Sequence, residues 1–373
     1  MADYKKYQSD GVSAEDKALD KFAELMIEKI ESLKNSDSWK QPWFTEGSLR
    51  WPRNLSGREY NGMNALLLMM LCEKQNYKLP VFCTFNRAVG LNYTTDKQGA
   101  KKPITDADGQ PLPRVGINKG EKSFPVMLTT FTVVDKDTKE KINYEDYKRL
   151  SNDEKAQYNV YPKLNVYQVF NVDQTNLKEA RPDLYAKLES ENKLQRPFSG
   201  EGESFKFPAM DAMIAENKWI CPINLVHQDN AYFSISKNQI TLPEKSQFKD
   251  GESFYGTAFH EMTHSTGTAE MFNRFNPESG FGSAEYAKEE LVAELGSALV
   301  AQRYGMTKNL KDDSAVYMKS WLDSLKESPS FIKTTLMDVK RATSVITQRI
   351  DEVALELEAK QSQTNDKSVS MDA

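Results

Sequence analysis

The sequence predicts an α+β protein of two domains, in which an α+β N-terminal half precedes a mainly helical half carrying a small antiparallel sheet. Three observations predict this. Helical periodicity opens the chain and dominates its last third; two apolar, β-branched runs, KSFPVMLTTFTVVDK and LNVYQVFNVDQTN, read as paired strands; and beyond residue 204 a short hairpin leads directly into a helix. With 373 residues, 39% of them hydrophobic, the chain is long enough for more than one buried core.

The elements follow in order. SAEDKALDKFAELMIEKIESLKN starts with a Ser13 cap and spaces Leu19, Phe22, Leu25, Met26, Ile30 and Leu33 as one helical stripe. WKQPWFTEGSLRWPRNLSGREYNGMN is rich in Trp, Pro, Gly and Asn and reads as an ordered loop whose aromatic rings need packing partners. NALLLMMLCEKQNY reads as a buried helix, PVFCTFNRAVGLNY as a strand or a short helix, and the polar stretch 135–160 as an excursion between the two paired strands. The second half has a helix at FPAMDAMIAENK, a hairpin at AYFSISKNQITLP turning at Lys237–Asn238, and a helix at SFYGTAFHEMTHSTG stopped by Gly267. A helix ending at Gly305 and two further helices complete the fold. The expected organisation is a first domain over 13–175, a Gly/Ser/Pro boundary over 176–204, a second domain over 205–358, and a polar tail over 359–373 with the composition of disorder.

Composition excludes several classes. The longest apolar run, ALLLMMLC, is far shorter than the roughly 18 residues a membrane span needs, and the first residues contain no apolar signal core. Cys72, Cys83 and Cys221 have neither disulfide-framework nor metal-ligand spacing, which fits a reducing cytoplasm and no membrane partner. Charge is uneven: residues 39–125 hold 13 Lys and Arg against 7 Asp and Glu within a chain of net charge −5.

The chemistry concentrates in FHEMTHSTG. His260 and His264, two of only three histidines, are four apart on one helical face, so their imidazoles converge, and Glu261 stands beside them to activate a zinc-bound water. Position 270 is Glu, so the third ligand is not the histidine of an extended HExxHxxGxxH motif. EELVAELGSA offers Glu289, Glu290 and Glu294. Glu290 shares a face with the small residues Ser297, Ala298 and Ala301 and is the expected ligand for the single Zn²⁺; Glu294, one turn on, is the expected orienter of a zinc-bound histidine, and Glu289 is expected to face solvent. His227 is a weak candidate for stabilising an oxyanion, and the strand from Tyr232 to Ile235 is suited to pairing with an extended peptide. TDADGQPLP lacks the glutamate of a calcium loop, and GINKGEKS lacks the lysine and spacing of a phosphate loop.

These residues carry a resemblance. AYFSISKNQITLP, YGTAFHEMTHSTG, FNR and YAKEELVAELGSA resemble the zincin-like metallopeptidase domain of ArdC-type antirestriction proteins, and WKQPW, PRNLSGREYNGMN, PVFCTFNRAVGLN and INKGEKSFPV resemble the N-terminal domain of the same family. The resemblance covers roughly residues 15–345. It implies an N-terminal domain that binds single-stranded DNA, a C-terminal metallopeptidase fold with one zinc, and protection of conjugating mobile-element DNA from host restriction. Under it the basic segment becomes a nucleic-acid surface, with Trp39, Trp43, Trp51 and Tyr60 for base stacking and Lys40, Arg50, Arg53, Arg58, Lys119 and Lys122 for phosphates. Three functions follow: a metallopeptidase delivered to DNA and acting on a protein or peptide, a DNA-coating protein with a structural zinc, or a nuclease or primase accessory factor. An intact Glu261 favours the first, since a structural site has no use for a base.

Overall fold

The computed structural model describes residues 13–34, 51–96, 98–192, 205–275, 283–306, 317–327 and 329–369. Trp39, Lys40, Trp43 and Arg50 lie outside them. Contacts divide the chain into two compact units, Met1–Lys21 with Phe82–Ala180, and Phe22–Val81 with Arg181–Ala373. The segment 22–81, expected with the first domain, thus groups with the second half of the chain.

Helix α1 (Ala14–Lys34) begins at a capping box: Ser13 Oγ accepts the Asp16 N–H at 3.0 Å, and the Asp16 carboxylate accepts the Ser13 N–H at 3.2 Å. Its expected stripe from Leu19 to Leu33 is buried. After a short strand, β1 (Arg53–Asn54), comes α2 (Met63–Gln75), in which consecutive residues Ala65 to Met70 are all buried. Burial on every side explains why that sequence shows no polar face.

The first unit is organised around a long antiparallel ribbon. Strand β2 (Val81–Thr84) runs into α3 (Phe85–Gly90), capped by Thr84, so the ambiguous PVFCTFNRAVGLNY contains one strand and one helix. A hairpin of β3 (Tyr93–Thr95) and β4 (Lys101–Pro103) precedes β5 (Phe124–Asp135). The excursion holds β6 (Lys141–Ile142), α4 (Tyr144–Arg149) and α5 (Asn152–Lys155), then β7 (Tyr158–Asn171) returns and pairs with β5 from Phe124↔Val169 to Asp135↔Tyr158. Strand β2 continues the sheet beside β7, and β6 beside β5.

The two faces of the ribbon differ at its far end. Tyr144 of α4 stacks on Phe131 with ring centroids 4.2 Å apart, and Tyr147 and Tyr158 extend that cluster. Opposed residues of an antiparallel pair share a face, so the register places Leu128, Thr130 and Thr132 with Tyr161, Lys163, Asn165 and Tyr167 on the other side. There Tyr161 and Tyr167 are 55% and 42% exposed, and no carboxylate stands in the row.

The expected boundary after residue 176 is occupied through Glu191 by α6 (Leu177–Ala180) and α7 (Pro182–Glu191). In the second unit α8 (Pro208–Ala215) is followed by β8 (Ile223–Val226), β9 (Tyr232–Ser234) and β10 (Gln239–Pro243), in sheet order β8-β10-β9. Strands β9 and β10 form the expected hairpin, with Asn238 at φ 45° in its turn. Strand β8 lies parallel to β10, because the chain reverses twice before β10 inserts between the other two; the sheet is mixed, not antiparallel throughout.

Four helices complete the unit: α9 (Gly251–Ser265), capped by Asp250; α10 (Ala284–Arg303), capped by Ser283; α11 (Met318–Glu327); and α12 (Pro329–Val369). Gly305, at φ 70°, lets the Met306 N–H return to the Ala301 carbonyl at 2.9 Å and closes α10. Helix α12 continues to Val369 through a stretch expected to be disordered, which opens with the good helix formers Ala359, Lys360 and Gln361. The core unites Phe254, Phe259 and Met262 of α9, Ile240 and Leu242 of β10, Met210 and Met213 of α8, Val300 of α10, and Ile346 and Ile350 of α12.

Candidate metal centre

Helix α9 turns Phe259 and Met262 into this core and leaves His260 and His264 on the side facing α10. The two helices approach closely at Gly296, where a Cβ would come within 2.9 Å of the Thr263 methyl. That closeness brings glutamates of α10 within reach of both imidazoles.

The structure brings together His260, His264 and Glu290, whose ligand atoms all lie within 4.8 Å of one another. The two Nε2 atoms are 3.1 Å apart, and the Glu290 carboxylate lies 3.5 Å from Nε2 of His260 and 3.6 Å from Nε2 of His264. Ligand atoms about 2.0–2.2 Å from one tetrahedral ion stand about 3.3–3.6 Å apart. Cis positions of an octahedral ion stand about 3.0 Å apart. The observed edges, 3.1 to 3.6 Å, lie in the range a divalent cation would need.

Behind each histidine is a carboxylate. Glu294, fully buried, lies 3.6 Å from Nδ1 of His260. Glu289, expected at the surface, is instead buried, with Oε1 3.2 Å from Nδ1 of His264 and both oxygens bound by Arg274 at 2.8 Å. The expectation fails because the pairing residue, Arg274, sits in a loop that no helical periodicity reveals. Burial pushes the His264 pKa down, but its hydrogen bond to Glu289 and the charges of Glu290, Glu289 and Glu261 outweigh this and raise it. Burial pushes the Glu289 carboxyl up, yet Arg274 and His264 outweigh it and hold the group below the usual carboxylate range. Tyr286, one turn before Glu290, hydrogen-bonds to that carboxylate, and its hydroxyl pKa is raised by burial first and then by Glu290.

Charge balance also fits a cation. Glu261, Glu289, Glu290 and Glu294 are all buried, and Arg274 is the one guanidinium that the described contacts place among them. Buried carboxylates in such excess are costly unless compensated, and a divalent ion between the imidazoles and Glu290 would supply the compensation.

The other sequence-predicted residues are dispersed. His227 is 80% exposed and lies 3.5 Å from Glu244, outside this cluster. Trp51 donates its indole N–H to the Tyr60 carbonyl, and the Arg303 guanidinium lies 5.4 Å above its ring. Arg53 pairs with Glu191 at 3.0 Å, and Arg58 closes the Asn54 turn through its backbone. These four are in the second unit; Lys119 and Lys122 are exposed in the first, on a loop tied to Gln174 by the Asn118 N–H and by the Lys122 carbonyl. Tyr161 and Tyr167, exposed on one face of β7, are not among the sequence-predicted residues, although YPKLNVY carries the alternation that places both there.

Two family models match the chain. Residues 208–336 match the zincin-like metallopeptidase family, and residues 16–170 match the N-terminal domain of anti-restriction factor ArdC. A DNA primase TraC of Escherichia coli is 29% identical over 352 residues, covering 92% of this chain and 20% of the relative. The chain therefore spans about a fifth of that curated relative's length. Among solved structures, the metal-free antirestriction ArdC protein from the R388 plasmid aligns with a TM-score of 0.59 at 22% identity, over 90% of this chain and 98% of that one. Its Mn(II)-bound form aligns with the same score over 89% and 97%. At this identity the likeness establishes a shared fold. No described helix is long and apolar enough to cross a membrane.

Proposed function

The chain is an ArdC-type protein, and from that premise we propose that it is a mobile-element antirestriction factor that couples single-stranded-DNA binding to a zinc-dependent peptidase centre. One observation carries the peptidase half: His260, His264 and Glu290 converge, and Glu261 is buried on the same helix between the two histidines in sequence. Bound zinc would supply Lewis acidity, lowering the pKa of water and polarising a carbonyl oxygen. The protein's own groups do the rest. His260, His264 and Glu290 would hold the ion. Glu261 accepts the proton of the attacking water and returns it to the leaving amine. Strand β9, at the edge of its sheet with Tyr232 45% exposed, offers backbone groups to an extended peptide.

The open face of the β5–β7 ribbon supports the DNA half. Tyrosine rings offer stacking surfaces for bases, Lys163 a contact for phosphate, and the missing carboxylates remove the repulsion a polyanion would meet. Lys119 and Lys122 add positive charge in the same unit. The Mn(II)-bound R388 protein supports a divalent ion in such a fold, and zinc is our choice from the two-nitrogen, one-carboxylate donor set.

Glu261→Gln tests the reading. It should leave zinc content and oligonucleotide affinity unchanged and abolish peptide cleavage in a broad peptide-library assay. Loss of zinc in this variant would make Glu261 a ligand and overturn its role as base.

A further inference from the structure

We infer that Arg274 is a positioning residue for the metal centre: through Glu289 it fixes the imidazole of His264 with Nε2 directed at the ion, and it ties the end of α9 to α10. The inference rests on reading His260, His264 and Glu290 as ligands. The Arg274 side chain is 5% exposed, and its donors are almost all engaged. Nε and Nη2 bind the two Glu289 oxygens at 2.8 Å each, a bidentate fork. Nη2 also donates to the Thr263 carbonyl at 2.8 Å, and Nη1 to Thr266 Oγ1 at 2.9 Å.

Each contact has a consequence for His264. The fork holds the Glu289 carboxylate in one orientation, so Oε1 stays 3.2 Å from His264 Nδ1. An ionised carboxylate only accepts, so Nδ1 carries the proton, and in the neutral ring Nε2 presents its lone pair toward Glu290 and Nε2 of His260. The two remaining contacts grip the last turn and the C-terminal cap of α9, the part of the helix that carries His264. Neutralising Glu289 would require the fork alone; the grip on Thr263 and Thr266 adds a fixed distance between the two ligand-bearing helices. Lysine, a point charge without the planar fork, cannot make this set of contacts.

The test is zinc and Mn²⁺ competition titration of the full chain against a chromogenic chelator, together with ¹⁵N-histidine spectra of the zinc-loaded protein, which contain only three imidazoles. Arg274→Lys and the double change Arg274→Met with Glu289→Leu should each weaken zinc binding about 10- to 100-fold. The double variant replaces a buried ion pair with apolar groups of similar size, so metal-free melting should not fall. Its His264 Nδ1–H signal should exchange fast with water, whereas that of the parent chain should exchange slowly. Zinc affinity within about 3-fold of the parent, or a preserved slow-exchanging Nδ1–H, would overturn the inference while leaving the ligands intact. Failure of the parent chain to bind either ion would overturn the ligand reading, and this inference with it.

Discussion

The metal centre and the β5–β7 ribbon are built on opposite plans. In the centre, Glu294, Thr263 and Ser297 are fully buried and His260 nearly so, and each histidine has a carboxylate behind it. On the open face of the ribbon, Leu128, Tyr161, Lys163 and Tyr167 are all exposed. Chemistry at one point needs groups fixed to fractions of an ångström, and burial is the means of fixing them. Binding along a flexible polyanion needs reach and tolerance, which exposed side chains supply. Substitutions should therefore act steeply and locally in the first region and in shallow steps in the second.

The largest effect is expected at the ligands themselves. Glu290→Ala should lower zinc affinity by more than the roughly 10- to 100-fold typical of a supporting residue, and Glu294→Gln should fall within that range. Isothermal titration separates the two, and equal losses would mean that the distinction between ligand and support has been drawn at the wrong residue.

Next comes the helix contact that makes the centre possible. Gly296→Ala would press a methyl against Thr263, whose hydroxyl is tied to the Phe259 carbonyl at 2.8 Å, so the neighbour has little freedom to yield. The expected loss is about 1–3 kcal/mol, read as an earlier thermal transition. An unchanged transition would show α9 and α10 to be less tightly fixed than the centre requires.

Smaller changes test the ribbon. Tyr161→Ala and Tyr167→Ala should each weaken single-stranded oligonucleotide binding by about 1–3 kcal/mol if a base stacks there. Lys119→Ala and Lys122→Ala should each reduce the salt slope by about 0.7. Trp51→Ala, whose ring packs under Arg303, should change stability more than DNA affinity. A reversed order, measured by fluorescence anisotropy at two salt concentrations, would move the nucleic-acid surface to the segment around residues 51–60. The smallest effect belongs to His227→Ala, which should leave metal affinity unchanged because the side chain stands in solvent.

What was legible in the sequence follows the same division. His260, Glu261 and His264 are readable because a helix imposes a four-residue period, and Glu290 and Glu294 because a second strong helix imposes the same period nearby. Arg274 was not, since it arrives from a loop between two helices and its role exists only once they pack. Glu289 was misplaced for that reason: without its partner it reads as a solvated charge. In the first half, the paired strands were readable from their β-branched runs, but which tyrosines are exposed depends on the register and on α4 covering one face. The aromatic loop around Trp51 showed that its rings need partners, and could not show that Arg303 would be one.

Adjacent residues Glu289 and Glu290 have different tasks, Glu289 backing Nδ1 of His264 and Glu290 facing the Nε2 atoms of both histidines, and this sets the rotational phase of α10 with no slack. With Gly296 held against Thr263, one residue inserted between 290 and 296 would turn the preceding helix by about 100°. Glu290 would then occupy the place facing Arg274, and its own place would fall to the inserted residue or to Leu291, leaving the centre without that carboxylate. One residue deleted would carry Lys288 toward Arg274 and Glu290 into the core position of Leu291. The stretch from Lys288 to Gly296 thus behaves as a gear tooth cut to a single pitch: its length cannot change, and tolerated insertions must fall outside it.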